Sequence, residues 1–277
     1  MRAYALTRQW AQWNGRPDPD LYVDQLLKEV VLAKSKKQYS PRLVQAQALL
    51  TELSNRQQSL VEVAVPHLRS YLPRDTPIKG QILLAVFIPT YAFSWGDGSI
   101  VIDLAADFWK GNPDKVFNLV IHELYHNGYG AHQKGVSANE ARSPQALIDH
   151  VLWQTQNEGL ATYVAYRAKP VELTMRDYQL LDNPSEVRAR FKLLQQLLAD
   201  LATAVEEGLP KVREEIQSIG DSQRAFHVVG AYMARRIEEQ KGRDALVQTI
   251  DAGPRAFFAA YAATSAPPGL RLVISTL

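Results

Sequence analysis

Proline recurs at the points where helices are expected to begin, and this pattern constrains the fold more than any other feature of the sequence. Proline suits the first helical turn because its fixed φ matches the helix and its missing N–H would have had no partner there. The residue before it is often a capping or turn residue. These pairs are Ser40-Pro41, Asn112-Pro113, Ser143-Pro144, Asn183-Pro184, Leu209-Pro210 and Gly253-Pro254. With Asp221-Ser222, they predict helices over most of the chain.

The chain up to residue 75 is predicted to be a helical segment. One helix is expected over Leu21–Ala33, and a longer one runs from Pro41 towards Tyr71. Pro66 should kink or interrupt the longer helix, because proline removes a backbone donor and crowds the preceding turn.

One stretch is predicted to contain β-structure. Gln81–Ile88 is an apolar run bounded by glycine and proline, which is typical of a buried strand. Ser99–Leu104 is a second predicted strand, and we expect it to be an edge strand along which an extended substrate docks. A simpler alternative is that it only supports the helix that follows. The tail, Leu270–Ile274, is a weaker candidate for a further short strand.

Composition excludes several kinds of site and partner. The chain has no cysteine, so disulfides, thiolate metal sites and a cysteine nucleophile are excluded. Any transition-metal site must therefore use His, Asp and Glu, and the chain has 6 histidines. A formal net charge of +2 over 277 residues is too small to indicate a nucleic acid or an acidic membrane as partner. No run approaches the ~18 apolar residues that a membrane-spanning helix needs.

The first ten residues, Met1 to Trp10, lack a continuous apolar region, so no signal peptide is visible. This fits a soluble cytoplasmic protein, or an exported one whose leader has been removed. The sequence gives no indication of the oligomeric state.

The sequence His122-Glu123-Leu124-Tyr125-His126 carries the clearest chemical signal. Histidines at i and i+4 project from one helix face, so both imidazoles can reach the same ion. Glu123 follows the first histidine, which places its carboxylate beside the ion and within reach of a water molecule that the metal activates.

The second signal is Asn157-Glu158-Gly159-Leu160-Ala161 on the next predicted helix. An antiparallel helix pair, joined by a loop over residues 130–142, would bring Glu158 back to the two histidines as a third ligand. Gly159 costs about 1 kcal/mol relative to alanine in a helix interior, so we expect it to allow a close helix approach beside the metal. Two His and one Glu leave a position open for water, as in catalytic zinc sites.

The predicted fold class is α+β and predominantly helical, with a small β-sheet preceding a two-helix HExxH zinc core and a helical C-terminal lobe. The expected segments are 1–75 (N-terminal helices), 76–170 (sheet and zinc-binding helices, the catalytic core) and 171–277 (helical C-terminal lobe), in one compact unit. The active site is expected in the cleft between the lobes.

The two motifs together resemble those of the gluzincin metallopeptidases, which carry H-E-x-x-H followed on the next helix by N-E-G-[LF]-A. The match covers roughly Phe117 to Tyr166. The chain is also similar to a group of bacterial proteins described as zinc-dependent peptidases. The resemblance implies His122, His126 and Glu158 as zinc ligands and Glu123 as general base.

The resemblance is incomplete at two points. Thermolysin-like enzymes have an Asp four residues after the ligand Glu, where this chain has Thr162. The chain also lacks the Gly-x-Met-Glu-Asn signature of the zinc aminopeptidases. These differences favour an endopeptidase or a specialised hydrolase.

His227 is the second catalytic candidate, because gluzincins use a His or Tyr at a comparable distance to hydrogen-bond the oxyanion. The alternatives are an ordinary helix histidine at this position, or Tyr232 or Tyr166 as the donor. Of the remaining histidines, His67 and His132 are expected to face solvent, and His150 to face away from the ligands.

The predicted function is zinc-dependent hydrolysis of peptide bonds in a peptide or protein substrate, with Zn²⁺ as cofactor and Glu123 as general base. Two alternatives stay open: a non-catalytic binding protein with a zinc-stabilised core, and a zinc hydrolase that acts on a non-peptide substrate. Retention of Glu123 argues against the first, because a structural zinc site needs no base.

Overall fold

The computed structural model describes residues 41–86, 91–94, 98–135, 137–168 and 176–272. Over these residues the protein is predominantly helical with one small sheet, which confirms the predicted α+β class. The predicted helix over Leu21–Ala33 lies outside the described residues. The described residues divide into two compact units, one with those up to 61 and those in 80–120, and the other with those in 62–79 and from 121 onward. None of the described helices is long and apolar enough to cross a membrane.

The elements follow one another in a simple order. They are α1 (Pro41–Arg69), β1 (Gln81–Ala85), β2 (Ala92–Ser94), β3 (Ser99–Asp103), α2 (Pro113–Tyr129), α3 (Pro144–Ala168), α4 (Arg176–Leu181), α5 (Pro184–Thr203), α6 (Leu209–Gln217), α7 (Ala225–Lys241), α8 (Arg243–Ala252) and α9 (Pro254–Ala262). A 3₁₀ turn (Glu206–Gly208) precedes α6, and a π-helical turn (Ser218–Ser222) follows it.

The sheet belongs to the first unit and has the order β1-β3-β2. β3 pairs in parallel with β1 and antiparallel with β2, so both of its edges are occupied. The prediction that Ser99–Leu104 is an edge strand is therefore wrong, because Ala92–Ser94 pairs with it. β3 is buried along its whole length. β1 is not the predicted buried strand, since Ile82 and Leu84 are 44% and 41% exposed.

Several helix predictions are confirmed, and others need correction. α1 continues through Pro66 to Arg69, because Pro66 lies in its last turn, where few helical hydrogen bonds remain to be lost. The helix expected at Asp221-Ser222 begins at Ala225, after the π-helical turn. α4 and α8 were not predicted. Leu270–Leu272 do not form a strand.

The second unit is built around α3 and α7, the pair of described helices that pack most extensively. α3 is buried along most of its length, and α7 contributes a continuous buried face from Ala225 to Ala231. Such burial fixes the position of polar side chains on these helices, because the surrounding core leaves them little room to move. All the candidate site residues lie in this unit.

Candidate metal centre

α2 presents His122 and His126 on one face. The helix begins at Pro113, where the Asn112 side chain accepts a hydrogen bond of 2.9 Å from the N–H of Asp114. The two imidazole rings meet edge to face, with centroids 4.7 Å apart and planes at 85°. Their Nε2 atoms lie 3.0 Å apart, so both rings point to one place, as the i, i+4 spacing predicts.

α3 brings Glu158 to these two histidines. The helix begins at Pro144, with the Ser143 hydroxyl accepting a hydrogen bond of 3.2 Å from the N–H of Ala146. Glu158 Oε2 lies 3.5 Å from His122 Nε2 and 3.4 Å from His126 Nε2. The structure therefore brings the three sequence-predicted ligand side chains together.

The spacing of these three atoms fits a zinc ion. A tetrahedral zinc ion with bonds of about 2.0–2.1 Å separates its ligand atoms by about 3.3–3.4 Å. The three separations between His122 Nε2, His126 Nε2 and Glu158 Oε2 are 3.0, 3.5 and 3.4 Å. They form one face of such a tetrahedron and leave the fourth position to another group.

α7 adds His227 to the same cluster. Its Nε2 lies 2.9 Å from Glu158 Oε2, and its ring is parallel to that of His122, with centroids 6.1 Å apart. Ligand atoms of His122, Glu158 and His227 all lie within 4.8 Å of one another, so they form a second group that could hold a metal ion. Nδ1 of His227 is buried and has no hydrogen-bond partner among the described residues.

The cluster is electrostatically suited to a cation. Burial alone would raise the pKa of Glu158, but the charges of His126 and His227 outweigh it and hold the pKa well below the usual range. Burial lowers the pKa of His122, which favours the neutral imidazole. Burial also opposes the charged form of His126, but the charge of Glu158 outweighs it and raises the pKa to about 9. A cation must therefore compete with a proton at His126.

Asn157 fixes the ring of His126. Its Oδ1 accepts a hydrogen bond of 2.9 Å from His126 Nδ1, and the amide is 8% exposed. Because Nδ1 is the donor, the lone pair of the neutral ring lies on Nε2, which faces the cluster. Ligand histidines are commonly oriented through their other ring nitrogen in this way.

Gly159 allows a close helix approach, as predicted, but the neighbouring helix is α7. A Cβ on Gly159 would overlap the backbone of Gly230, and one on Gly230 would lie 2.7 Å from Cα of Gly159. The expected partner was the zinc-binding helix α2, and the structure gives α7 instead. The contact lies next to Glu158 on α3 and three residues after His227 on α7.

Glu123 lies beside the cluster and not within it. Its side chain is partly exposed, and no described residue forms a hydrogen bond or ion pair with its carboxylate. Its charge raises the pKa of both His122 and His126, so it lies within electrostatic reach of both rings. A carboxylate is one of the groups that act as a general base in enzymes.

The other histidines lie elsewhere, and two of them were wrongly expected to face solvent. Nε2 of His67 lies 2.8 Å from the carbonyl oxygen of Val164, to which it donates a hydrogen bond. His132 is partly buried between Thr76 and Asp251, at 2.7 and 2.8 Å. Both rings find partners because the helix ends around them are packed.

The remaining candidates do not join the cluster. His150 is buried beside Trp153, with ring centroids 6.1 Å apart. Tyr232 packs edge-on against two aromatic rings, and the Tyr166 hydroxyl donates to Asp182 at 3.2 Å. Thr162 is buried, and its hydroxyl has no hydrogen-bond partner among the described residues.

Two residues of the site were not predicted in their roles. Asn157 is adjacent to Glu158 in sequence, so its place in the motif was visible, but its contact with His126 was not. The role of Gly230 was not predictable, because one sequence does not show which helix a helical glycine packs against or where the two helices cross.

A cavity of about 1040 Å³ lies between residues 69–79 and the start of α8, and no residue of the cluster lines it.

Residues 16–265 match the model of a protein family described as "Putative zinc dependent peptidase (DUF5700)". The match covers both sequence motifs and all four side chains of the cluster. Searches of curated proteins and of solved structures found no match.

Proposed function

The chain belongs to this family of peptidases described as zinc dependent, and we propose that it hydrolyses peptide bonds at a zinc ion held by His122, His126 and Glu158. We assign it to the gluzincin type, on H-E-x-x-H in α2 and N-E-G-L-A in α3. The observation that carries the proposal is the convergence of two imidazole nitrogens and one carboxylate oxygen at separations that suit tetrahedral zinc.

Two overlapping ligand sets are available, and they differ in whether His126 or His227 completes them. The Asn157 contact places the lone pair of His126 on Nε2, facing the cluster, which is the form that binds a metal. His227 Nε2 lies 2.9 Å from Glu158 Oε2, and no hydrogen bond from the described residues fixes the other nitrogen of its ring, so its Nε2 lone pair is not oriented in the same way. His126 is therefore the ligand and His227 the donor.

Zinc in such a site supplies Lewis acidity, which lowers the pKa of water and polarises a carbonyl group. The Glu123 carboxylate accepts a proton from the attacking water as the new carbon–oxygen bond forms. It then delivers that proton to the amide nitrogen as the carbon–nitrogen bond breaks. His227 Nε2–H donates a hydrogen bond to the carbonyl oxygen as negative charge develops on it.

Two measurements test this function. Elemental analysis of the purified protein should find about one zinc ion per chain. A peptide-library digest should show cleavage that a chelator stops and added zinc restores. The matched control is Glu123→Gln, which should keep the metal and lose cleavage.

The other outcomes separate the competing functions. Zinc binding with no cleavage, and no effect of Glu123→Gln on any hydrolysis, would indicate a binding protein with a zinc-stabilised core. Chelator-sensitive hydrolysis of esters or other small substrates, with peptides left intact, would indicate a non-peptide hydrolase. Absence of stoichiometric metal would contradict the proposal as a whole.

A further inference from the structure

Asp177 and Arg224 form an ion pair with two hydrogen bonds at the start of α7. Arg224 Nε donates to Asp177 Oδ1 at 2.8 Å, and Nη2 donates to Oδ2 at 2.7 Å. Asp177 is only 6% exposed. A buried pair with this geometry tolerates little displacement, since moving either partner leaves the other charge uncompensated. The pair therefore fixes Arg224 relative to α4.

Arg224 is also the residue from which α7 starts. Its backbone has φ 57° and ψ 29°, a left-handed conformation that is uncommon for residues with a side chain. Its carbonyl oxygen accepts the first hydrogen bond of the helix, from the N–H of Val228 at 3.1 Å. A residue in this conformation persists only where its surroundings hold it, and the ion pair with Asp177 is one of the contacts that Arg224 makes.

His227 follows Arg224 by three residues, so the two lie on the same side of the first turn. Its polar contact with the cluster is made by Nε2, 2.9 Å from Glu158 Oε2. Nδ1 is buried and has no hydrogen-bond partner among the described residues. Because no hydrogen bond at Nδ1 holds the ring, its position is set by the core around it, by the contact at Nε2 and by where the backbone of α7 begins.

Asp177 lies within electrostatic reach of the cluster as well. Burial would raise the pKa of its carboxyl group, but the hydrogen bond from Arg224 and the charge of His227 outweigh burial and lower it. The charge of His122 acts in the same direction. The carboxylate therefore contributes negative charge near the two histidines.

We propose that Asp177, held by Arg224, is a positioning residue for His227. The pair sets the start of α7 so that His227 Nε2–H points at the metal cluster, and it holds a negative charge close to that ring. The effect of this positioning on turnover rests on the proposed function, whereas its effect on the ring of His227 does not.

The chain offers a matched control. Asp182 follows α4 and also forms an ion pair with α7, through Arg235 at 3.0 Å. Arg235 lies eight residues after His227, so this pair joins the same parts of the fold without touching the first turn. Asp182→Asn should leave turnover and the His227 ring unchanged.

A double-mutant cycle on the zinc-loaded protein tests the effect on turnover. Asp177→Asn should lower kcat about 10–100-fold with KM and zinc content unchanged, because a small misplacement of a catalytic group has effects of that size. In a His227→Ala background, Asp177→Asn should cause no further loss. Asp177→Glu should recover part of the rate. Equal losses in both backgrounds would overturn the proposal.

Imidazole ¹⁵N chemical shifts give a readout independent of activity. Asp177→Asn should move the His227 signals and leave those of His67 and His150 in place. Arg224→Lys keeps the charge but cannot bridge both carboxylate oxygens, so it should cause a smaller shift of the His227 signals. This variant replaces Asp177→Asn in the test if Asp177→Asn does not fold. Unchanged His227 signals would overturn the positioning role. If His227→Ala kept full kcat while these shifts were observed, the donor role would fail and the positioning role would stand.

Discussion

Gly159 of α3 and Gly230 of α7 cross with their backbones in contact. A Cβ on Gly230 would lie 2.7 Å from Cα of Gly159 and would overlap the carbonyl oxygen of Thr155. Only two glycines allow helices to approach this closely. The crossing lies beside Glu158 and one turn from His227, so it sets the distance over which these two side chains meet.

Alanine at either glycine should therefore disturb the cluster. Gly230→Ala should lower the free energy of unfolding by about 1–3 kcal/mol, because backbone atoms cannot move aside as a side chain can. It should also weaken zinc binding, measured by competition with a chelator. Gly208→Ala is the control, since a Cβ there meets nothing within 4 Å. Unchanged stability and zinc affinity in Gly230→Ala would contradict a role for the close crossing.

The two glutamates near the metal should behave differently when changed. Glu123→Gln should abolish turnover while zinc stoichiometry stays near that of the parent, because only the proton acceptor is lost. Glu158→Ala should weaken metal retention, since it removes a ligand oxygen. Elemental analysis after dialysis, together with a peptide assay, distinguishes them. Equal loss of zinc in both variants would show that the division into base and ligand is wrong.

Asn157→Ala should lower zinc affinity about 10–100-fold, as expected when the partner that orients a ligand histidine is removed. The reason is that His126 loses the acceptor that holds its proton on Nδ1. Thr162→Val is the matched control on the same helix, because the Thr162 hydroxyl has no partner among the described residues. Chelator competition measures both. Comparable losses in the two variants would mean that the effect comes from packing in α3.

Glu238 should make stability depend on pH. Its carboxylate, 13% exposed, accepts hydrogen bonds from Tyr163 at 2.6 Å and Arg243 at 2.8 Å. Burial would raise its pKa, but these hydrogen bonds outweigh burial and lower the pKa below the ordinary 4.5. As the pH falls, the carboxyl group of Glu238 is therefore protonated at a higher pH in the unfolded chain than in the folded protein. The stabilisation is complete above the ordinary glutamate pKa of 4.5, and it is lost as the pH falls through the lowered pKa of the folded state.

Glu238→Gln should then cost about 1–3 kcal/mol near neutral pH, where an unpaired partner is left buried. The difference from the parent should shrink at acid pH, once the pH has fallen below the lowered pKa of the parent carboxylate. Urea denaturation at the two pH values measures this. Glu239→Gln is the control, because Glu239 is 48% exposed and pairs only at the surface with Arg236. An equal difference in the free energy of unfolding at both pH values would contradict a lowered pKa of Glu238 as the cause.

Local signals predicted most of the described helices and the three side chains that converge in the cluster. The caps at Asn112 and Ser143 act within a few residues, so the starts of α2 and α3 were readable from sequence. The i, i+4 spacing of His122 and His126 likewise follows from helix geometry alone. The prediction that Glu158 meets these histidines required only the assumption that α3 runs antiparallel to α2.

Relations between distant segments were not predictable from one sequence. β3 was taken for an edge strand because nothing local shows that Ala92–Ser94 pairs with it. The apolar run at β1 predicts burial, yet Ile82 and Leu84 are exposed, since an apolar run does not tell which of its faces the rest of the fold covers. Gly230 and Arg224 have roles that depend on residues far away in the chain.

The role of His227 yields the last prediction. Its Nε2 lies at the cluster, 2.9 Å from Glu158 Oε2, which is a suitable place for a hydrogen-bond donor that acts on developing negative charge. His227→Ala should lower kcat by about 10²–10³, while zinc content and KM change little, because the lost hydrogen bond forms in the transition state. A ligand role predicts a different result: zinc affinity would fall first, and turnover would recover at high zinc concentration. Tyr232→Phe should be silent, because that ring packs against Phe191 and Tyr261. Chelator competition and steady-state kinetics on the same preparations separate the two roles, and unchanged kcat in His227→Ala would exclude both.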